Sequence, residues 1–269
     1  RFEGPDGCLD TCGTGGDGAH TYNISTAVAL VLAGCGVPVA KHGNKAVSSS
    51  SGSSDVLAEL GVNIMAPFEV VEACLHEIGI TFLFAQRHHP AVRHVAPVRT
   101  DMGVRTLFNL LGPLTNPAGA KRQLLGVFDR ALTAPVAEVL QQLGGDAAWV
   151  VHGSDGLDEL TTTGPSFVSA LENGSIRHFS VEPADAGLDR NTAEEIRGGD
   201  ISDNAAALRN LLDGKPSAYR NIVLFNAAAG LVVAGKASDL KRGVQLAIPA
   251  IDEGHAAAKL DALVRRTNA

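Results

Sequence analysis

Short apolar runs alternate with longer runs of small and apolar residues along much of the chain. The short runs predict buried β-strands at Cys8–Cys12, Val37–Ala40, Thr81–Ala85, Leu124–Phe128 and Ala147–Val151. The longer runs predict helices at Ile24–Gly34, Asp55–Leu60, Pro67–Glu77 and Ala134–Leu143. Strands that alternate with helices of this length are typical of an α/β fold with a mostly parallel central sheet flanked by helices.

The pattern changes in the second half of the chain. Short alternating segments from Ser166 to about Ser180 predict a small antiparallel insertion, and three further helices are predicted at Ala205–Leu212, Asn221–Ala234 and Leu240–Arg265. Residues 86–120 are expected to be largely helical and to contribute to a small helical subdomain. Because no internal repeat or linker divides the sequence, residues 1–269 are interpreted as one α/β domain.

Composition narrows the class of protein. Hydrophobic residues make up 45% and charged residues 19% of the chain, which excludes a largely disordered protein. The formal net charge of −7 argues against a nucleic-acid partner, because such proteins usually carry a basic face. It leaves anionic small ligands open, since backbone amides can bind phosphate in an acidic protein.

The cysteines and the longest apolar run bear on location. Cys8, Cys12, Cys35 and Cys74 form no C-x-x-C pair and have no zinc spacing, so free thiols and a reducing, cytoplasmic compartment are expected. The apolar run from Thr26 to Ala40 is interrupted by glycine and proline and is too short to cross a bilayer. No membrane association is therefore expected.

Two candidate phosphate-binding segments follow the first predicted strand. Glycines in Gly13–Asp17 let consecutive backbone N–H groups approach an anion, although a glycine loop before a helix is also a common structural turn. The loop has neither Walker A nor dinucleotide-binding spacing. Asn23–Thr26 open the next helix, where they are either ordinary capping residues or part of a helix N-terminus that binds phosphate.

Two further polar segments lie at predicted strand ends. Lys41 ends a buried strand and is followed by a glycine and a serine run to Ser54; a lysine there is costly without a partner, although a purely structural serine loop remains an alternative. Asp158 and Glu159 follow another strand. Adjacent carboxylates are suitable ligands for Mg²⁺, and the alternative is a solvated acidic turn.

Taken together and in order, these segments resemble the anthranilate phosphoribosyltransferase family over nearly the whole chain. The resemblance is carried by Gly13-Thr14-Gly15-Gly16-Asp17, Asn23-Ile24-Ser25-Thr26, Lys41-His42-Gly43-Asn44, Ser53, Arg99, Leu111-Gly112-Pro113-Leu114-Thr115-Asn116-Pro117 and Asp158-Glu159. It implies transfer of a phosphoribosyl group from phosphoribosyl pyrophosphate to the amine of anthranilate, in tryptophan biosynthesis. It assigns no residue as a general acid or base, since the aromatic amine is nucleophilic as the free base.

The resemblance also implies ligands for individual residues. Contacts to the sugar donor are implied for Gly13, Gly16, Asp17, Thr21, Asn23, Ile24, Ser25, Thr26, Lys41, His42, Gly43, Asn44, Lys45, Ala46, Val47, Ser48, Ser49 and Ser53. Contacts to anthranilate are implied for Gly13, His42, Asn44 and Arg99. Binding of Mg²⁺ as cofactor is implied for Ser25, Asp158 and Glu159.

The chain departs from the family pattern at its start. The family usually carries a small helical domain ahead of the glycine loop, which helps to form a homodimer, and here that domain is expected to be largely absent. Two alternatives are considered. A pyrimidine nucleoside phosphorylase would not need the Asp158–Glu159 pair, and a non-catalytic relative that binds nucleic acid would be expected to be basic and to lose these motifs.

Overall fold

The computed structural model describes residues 2–45, 51–88 and 108–269 of the chain. Within them a seven-stranded sheet has the order β3-β2-β1-β4-β5-β6-β7. Its strands are β1 (Leu9–Gly13), β2 (Val39–Gly43), β3 (Ile80–Phe84), β4 (Arg122–Gly126), β5 (Ala147–Gly153), β6 (Ser166–Glu172) and β7 (Ser175–Val181). The first five are parallel, whereas β6 and β7 pair antiparallel and extend the same sheet. The predicted α/β fold with an antiparallel insertion is confirmed.

The helices flank this sheet. They are α1 (Ile24–Gly34), α2 (Ser53–Glu59), α3 (Phe68–Ala73, followed by a π-turn at Cys74–Ile78), α4 (Ala85–His88), α5 (Phe108–Leu111), α6 (Thr133–Gln142), α7 (Ile201–Leu212), α8 (Ala218–Val233), α9 (Leu240–Asp252) and α10 (His255–Thr267). None of the helices in these described ranges is long and apolar enough to span a membrane.

Two predicted helical segments, Leu240–Arg265 and residues 86–120, can be compared with the described helices. The single helix predicted over Leu240–Arg265 is wrong, because Gly254 adopts a left-handed backbone with φ of 75° and separates α9 from α10. In the segment 86–120, the described parts are helical at α4 and α5 and continue as a turn after Leu111. Residues 89–107 lie outside the described residues.

The order of the strands fixes where a ligand can bind. The chain passes from β1 to β2 and β3 on one side and returns to β4 on the other side of β1, so the strand order reverses between β1 and β4. In open α/β sheets, ligands bind at the carboxyl ends of the strands at such a reversal. Here those ends are Gly13 and Gly126, which are paired in register.

The main hydrophobic core lies between the sheet and the helices α1, α8, α9 and α10. Helix α1 is buried from Thr26 to Ala33 because its sequence consists of small and branched apolar residues on all sides. A second core, between the other face of the sheet and α6, contains Val136, Leu140 and Val150. Together these layers hold the carboxyl edge of the central strands rigidly in place.

A polar side chain in the middle of α8 interrupts the main core. Asn226 is fully buried, and its Oδ1 accepts a hydrogen bond of 2.9 Å from the backbone N–H of Leu160. Its Nδ2 donates to the backbone oxygens of Leu160 at 2.8 Å and Ile222 at 2.9 Å. Asn226 therefore holds both backbone groups of Leu160, the residue that follows Glu159.

We expect Asn226→Ala to lower the free energy of unfolding by about 2–3 kcal/mol, because it leaves the buried N–H and C=O of Leu160 without partners. Chemical denaturation would measure this loss. The matched control is Asn221→Ala in the same helix, where the side chain makes one long bond of 3.4 Å to Asn191. Equal stability of the two variants would contradict the assignment.

Candidate active site

A cavity of about 270 Å³ opens at the carboxyl edge of the sheet, where the strand order reverses. It is lined by the ends of β1 and β2, the loop between β1 and α1, the first turn of α1 and the Asp158–Glu159 segment that follows β5. The position agrees with the general rule for α/β sheets. The sequence motifs separated by more than 100 residues therefore meet at one site.

The described residues with predicted ligand contacts all line this cavity. They are Gly13, Gly16, Asp17, Thr21, Asn23, Ile24, Ser25, Thr26, Lys41, His42, Gly43, Asn44, Lys45, Ser53, Asp158 and Glu159. Five predicted residues, Ala46, Val47, Ser48, Ser49 and Arg99, lie outside the described residues. The placement brings the predicted set together, and the role of each residue stays a prediction.

The glycines around this cavity are required by their surroundings. Gly15 and Gly16 have φ of 65° and 77°, a left-handed conformation that most residues avoid. At Gly126, an added Cβ would lie 1.5 Å from the backbone oxygen of Asp158. Only glycine at this strand end lets the acidic segment cross the sheet edge so closely.

The acidic segment is held on both sides. Asp155 accepts hydrogen bonds from the hydroxyls of Thr161 at 2.6 Å and Thr163 at 2.8 Å, which closes the turn that contains Asp158 and Glu159. On the other side, Asn226 holds the backbone of Leu160. Because both anchors lie within three residues of the pair, the two carboxylates have fixed positions.

The carboxylates face the glycine loop and the start of α1. Asp158 Oδ2 accepts a hydrogen bond of 2.7 Å from the backbone N–H of Gly15, and Glu159 accepts one from the backbone N–H of Ser25. Burial, reinforced by the negative charge of Asp17, raises the pKa of Asp158 to about 7. Burial and then the charge of Asp158 raise the pKa of Glu159 well above its usual range. When Asp158 and Glu159 are ionised, no positively charged neighbour fully offsets the free-energy cost of burying their charges.

The donor set of this edge fits Mg²⁺ shared with a ligand. Within the described residues, no group of three or more His, Cys, Asp and Glu side chains is arranged to hold a metal by itself. Mg²⁺ is usually bound by one or two carboxylates together with phosphate oxygens of a substrate. Asp158 and Glu159, with the hydroxyl of Ser25 in the same cavity wall, are such a partial set.

A buried lysine lies next to Ser25 at this site. Lys41 is 3% exposed, and its Nζ donates to the backbone oxygen of Thr11 at 2.7 Å and to Ser25 Oγ at 3.2 Å. Burial lowers the pKa of Lys41, and the negative charge of Asp10 acts in the opposite direction. The prediction that this lysine is buried is confirmed, but its place at a strand end is wrong, because β2 continues from Val39 to Gly43 and Lys41 lies in its middle. An anionic ligand in the cavity would further favour its charged form.

Asp10, a buried carboxylate in β1, is hydrogen-bonded both to β2 and to the turn after α5. Its Oδ1 accepts a hydrogen bond of 2.9 Å from the backbone N–H of His42, and its Oδ2 accepts one of 2.8 Å from Asn116 Nδ2. Burial raises the pKa of Asp10 to about 6, although the bond from His42 and the charge of Lys41 act in the opposite direction. Asn116 also donates to the backbone oxygen of Ala40 at 2.9 Å, which fixes the turn after α5 to the start of β2.

Some residues of the site were not predicted from sequence. Tyr22 and Asn109 line the cavity, and Asp10 lies behind it. Asp10 carried a signal that could have been used, since a carboxylate in the middle of a buried strand is rare without a partner. Tyr22 and Asn109 carried no distinctive local pattern, because their place in the cavity depends on contacts between distant parts of the chain. Thr14 and Ser51 also line the cavity, within the predicted glycine loop and serine run, but were assigned no contact of their own.

Comparison with known proteins gives consistent matches. The model of the glycosyl transferase family, a/b domain, matches residues 6–257. An anthranilate phosphoribosyltransferase of Beijerinckia indica is 59% identical over 268 residues, covering 100% of this chain and 78% of that protein. The solved anthranilate phosphoribosyltransferase of Thermus thermophilus has a TM-score of 0.95 at 46% identity, covering 100% of this chain and 80% of that one.

The yeast protein links the same fold to ligands. The structure of anthranilate phosphoribosyltransferase from Saccharomyces cerevisiae in complex with PRPP and Mg has a TM-score of 0.92 at 28% identity, covering 99% of this chain and 76% of that one. The same yeast protein in complex with 4-fluoroanthranilate has a TM-score of 0.89 at 27% identity, covering 99% and 75% of the two chains. The fold described above is therefore shared with proteins solved with these ligands.

Asp158→Asn is expected to raise the melting temperature of the metal-free protein at pH 8 and to raise it much less at pH 5. A buried group with a raised pKa stabilises the fold while protonated, and this stability is lost as the pH rises from about 4 through about 7. Asparagine removes that loss, and its Oδ1 can still accept from Gly15. Thermal unfolding in EDTA at both pH values would measure the difference.

The control for this variant is Asp146→Asn, at an exposed position, which should show no such dependence on pH. A lower melting temperature for Asp158→Asn at pH 8 would show that the ionised carboxylate stabilises the metal-free fold, contrary to the assignment.

Proposed function

This chain belongs to the glycosyl transferase family with the a/b domain, among the anthranilate phosphoribosyltransferases, and on that premise we propose that it transfers the 5-phosphoribosyl group from phosphoribosyl pyrophosphate to the amine of anthranilate, in tryptophan biosynthesis. The observation that supports this most directly is the cavity at the strand reversal, where amide donors, a buried lysine and a carboxylate pair converge. Such a cavity suits a ligand that carries phosphates and a cation.

The donor's phosphates would bind along the glycine loop and the start of α1. Backbone N–H groups in this loop and at a helix N-terminus attract anions without adding a formal charge. Lys41 would supply a positive charge to the phosphates, and its ammonium group is held in place by hydrogen bonds to Thr11 and Ser25. We assign donor binding to the cavity-lining residues with predicted ligand contacts other than Asp158 and Glu159, together with Ala46, Val47, Ser48 and Ser49. Arg99 is assigned to the acceptor.

Asp158, Glu159 and Ser25 would hold the Mg²⁺ that accompanies the donor. When bound, Mg²⁺ neutralises negative charge on the diphosphate leaving group. The chain's own contribution is positional, because the anchors at Asp155 and Asn226 keep both carboxylates beside the glycine loop. Binding of a cation would also favour the ionised carboxylates, whose pKa values burial raises.

Transfer breaks the bond between C1 of the ribose and the pyrophosphate oxygen and forms a bond from C1 to the anthranilate nitrogen. The electron pair of the broken bond leaves with pyrophosphate, and the ribose develops positive charge resembling that in glycoside cleavage. The loop amides and Lys41 can stabilise the negative charge of the leaving group, and the cavity can align the two reactants. The nitrogen loses a proton after attack, and no side chain is assigned to accept it.

The acceptor would bind on the side of the cavity formed by the turn after α5. Asn109, Gly112 and Pro113 line this side, and His42 lies close to it, with its Cε1 3.9 Å from a Cβ built on Gly112. Asn44 lines the same cavity. We propose Gly13, His42, Asn44 and Arg99 as the anthranilate contacts, with the Arg99 guanidinium pairing with the carboxylate of anthranilate.

Two broader features of the prediction belong to the same proposal. A homodimer is supported by the resemblance to the family. A cytoplasmic location is supported by the cysteines, because all four are free thiols and three of them are buried.

The direct test of the proposed activity uses the fluorescence of anthranilate. We expect it to decrease only when phosphoribosyl pyrophosphate and Mg²⁺ are both present, and replacing Asp158 and Glu159 together by Ala should abolish this turnover. The matched control replaces the adjacent exposed carboxylates Glu194 and Glu195 by Ala. Unchanged turnover in the Asp158/Glu159 variant would remove this pair from the site.

Replacement of Arg99 by Ala should raise the KM for anthranilate about tenfold or more and leave the KM for the donor nearly unchanged, because a charge-assisted hydrogen bond to a carboxylate is lost. Initial rates measured with each substrate varied in turn would separate the two constants. Arg190→Ala, at an exposed arginine paired with Glu182, is the control. An effect confined to the donor KM would overturn the assignment of Arg99 to the acceptor.

A further inference from the structure

A buried asparagine outside the cavity is bonded to two residues of its wall. Asn204, in α7, is 1% exposed and does not line the cavity. Its Nδ2 donates to Asn23 Oδ1 at 3.1 Å and to Ser51 Oγ at 2.6 Å. Asn23 and Ser51 both line the cavity, and they are 181 and 153 residues away from Asn204 in sequence.

The orientation of the Asn204 amide is determined by its other contact. The backbone N–H of Gly199 can only donate, and it donates to Asn204 Oδ1 at 2.9 Å. The Nδ2 group must therefore face Asn23 and Ser51, where each of its two hydrogens has an acceptor. Asp200 caps α7 by accepting from the backbone N–H of Asp203, so the helix that carries Asn204 has a fixed start.

Asn204 in turn fixes how Asn23 is oriented. Because Asn23 Oδ1 faces Asn204 and the hydroxyl of Ser51, Asn23 Nδ2 donates to the backbone oxygen of Ser51 at 3.2 Å. The backbone oxygen of Asn23 also accepts a bond of 3.0 Å from the hydroxyl of Tyr219. Asn23 and Ser51 are thus joined to each other and to two helices behind the cavity.

This arrangement has a consequence for the start of α1. Asn23 occupies the N-cap position, and asparagine there normally accepts a hydrogen bond from an amide of the first turn. Here the side chain makes no capping bond, because its oxygen faces Asn204 and Ser51 instead. The first turn is therefore not covered by its own cap residue on the side that lines the cavity.

We infer that Asn204 is a positioning residue for the phosphoribosyl donor, which keeps the Asn23 side chain away from the first turn of α1 and fixes Asn23 and Ser51 as one wall of the cavity. Without the Nδ2 donor, the oxygen of Asn23 can cap its own helix through the N–H of Thr26 and compete with the diphosphate for it, since the N–H groups of Ile24 and Ser25 already donate to Tyr22 and Glu159. This inference rests on the proposed function and adds a residue that touches neither substrate.

The test measures binding of inorganic pyrophosphate, with Mg²⁺ present, to the full chain by calorimetry. Asn204→Ala should weaken binding about tenfold, equivalent to about 1.4 kcal/mol. Asn204→Asp keeps the shape and an acceptor for Gly199 but loses both Nδ2 hydrogens, so it should show a similar loss. Asn210→Ala is the matched control, since Asn210 is exposed near the end of the same helix and its side chain bonds only Lys215 among the described contacts. Circular dichroism would verify that each variant is folded at the temperature of the titration.

A second readout separates positioning from general stabilisation. In turnover assays the donor KM should rise about tenfold while the acceptor KM stays within about twofold, because only the donor wall is altered. Asn23→Ala and the double variant complete a cycle, in which the double variant should lose no more pyrophosphate affinity than the larger single loss. Additive losses would mean that Asn204 does not act through Asn23.

The outcomes distinguish this inference from the proposed function. Pyrophosphate affinity equal to that of the unmodified chain in both Asn204 variants would overturn the inference and leave the proposed function intact. Failure of the unmodified chain to bind pyrophosphate would overturn the proposed function, and the inference with it.

Discussion

The close crossing of the acidic segment over the ends of the two central strands is the contact on which the rest of the site depends. Asp158 lies so near β4 that any side chain at Gly126 would overlap its backbone. The same crossing brings its carboxylate within 2.7 Å of the amide of Gly15, in the loop that ends β1. The glycines at the strand ends, the anchors at Asp155 and Asn226 and the shape of the cavity all serve this one approach.

That approach brings negative charge to the place proposed for the negatively charged donor. Burial raises the pKa values of Asp10, Asp158 and Glu159, so ionising these carboxylates costs free energy that a bound cation would offset. A bound cation favours the ionised carboxylates, whereas a bound diphosphate favours the charged form of Lys41. In the proposed function, the cation and the diphosphate would therefore assist each other's binding, since the cation offsets the repulsion between the carboxylates and the diphosphate.

The strands of the sheet and the polar motifs could be predicted from the sequence, but the hydrogen bonds that join distant motifs could not. Short apolar runs such as Thr81–Ala85 and the polar residues at strand ends are local signals, and the structure places them within one or two residues of the prediction. The break between α9 and α10 was missed, because apolar spacing continues across Gly254 and one glycine within such a pattern does not require a break. Asn204 was missed for a different reason, since its partners Asn23 and Ser51 become neighbours only when α7 packs against the start of α1.

Three neutral amide side chains join distant parts of the chain at this site, and the electrostatics explain why amides suit this role. Asn116 joins Asp10 to the turn after α5, Asn204 joins Asn23 to Ser51, and Asn226 holds the backbone next to Glu159. Each amide both donates and accepts, so it can fix two groups without changing the local charge. A buried Asp or Lys in any of these positions would shift the balance between the carboxylates, Lys41 and the ligands. These asparagines hold the residues around the cavity in place without adding to the charge of Asp10, Lys41, Asp158 and Glu159.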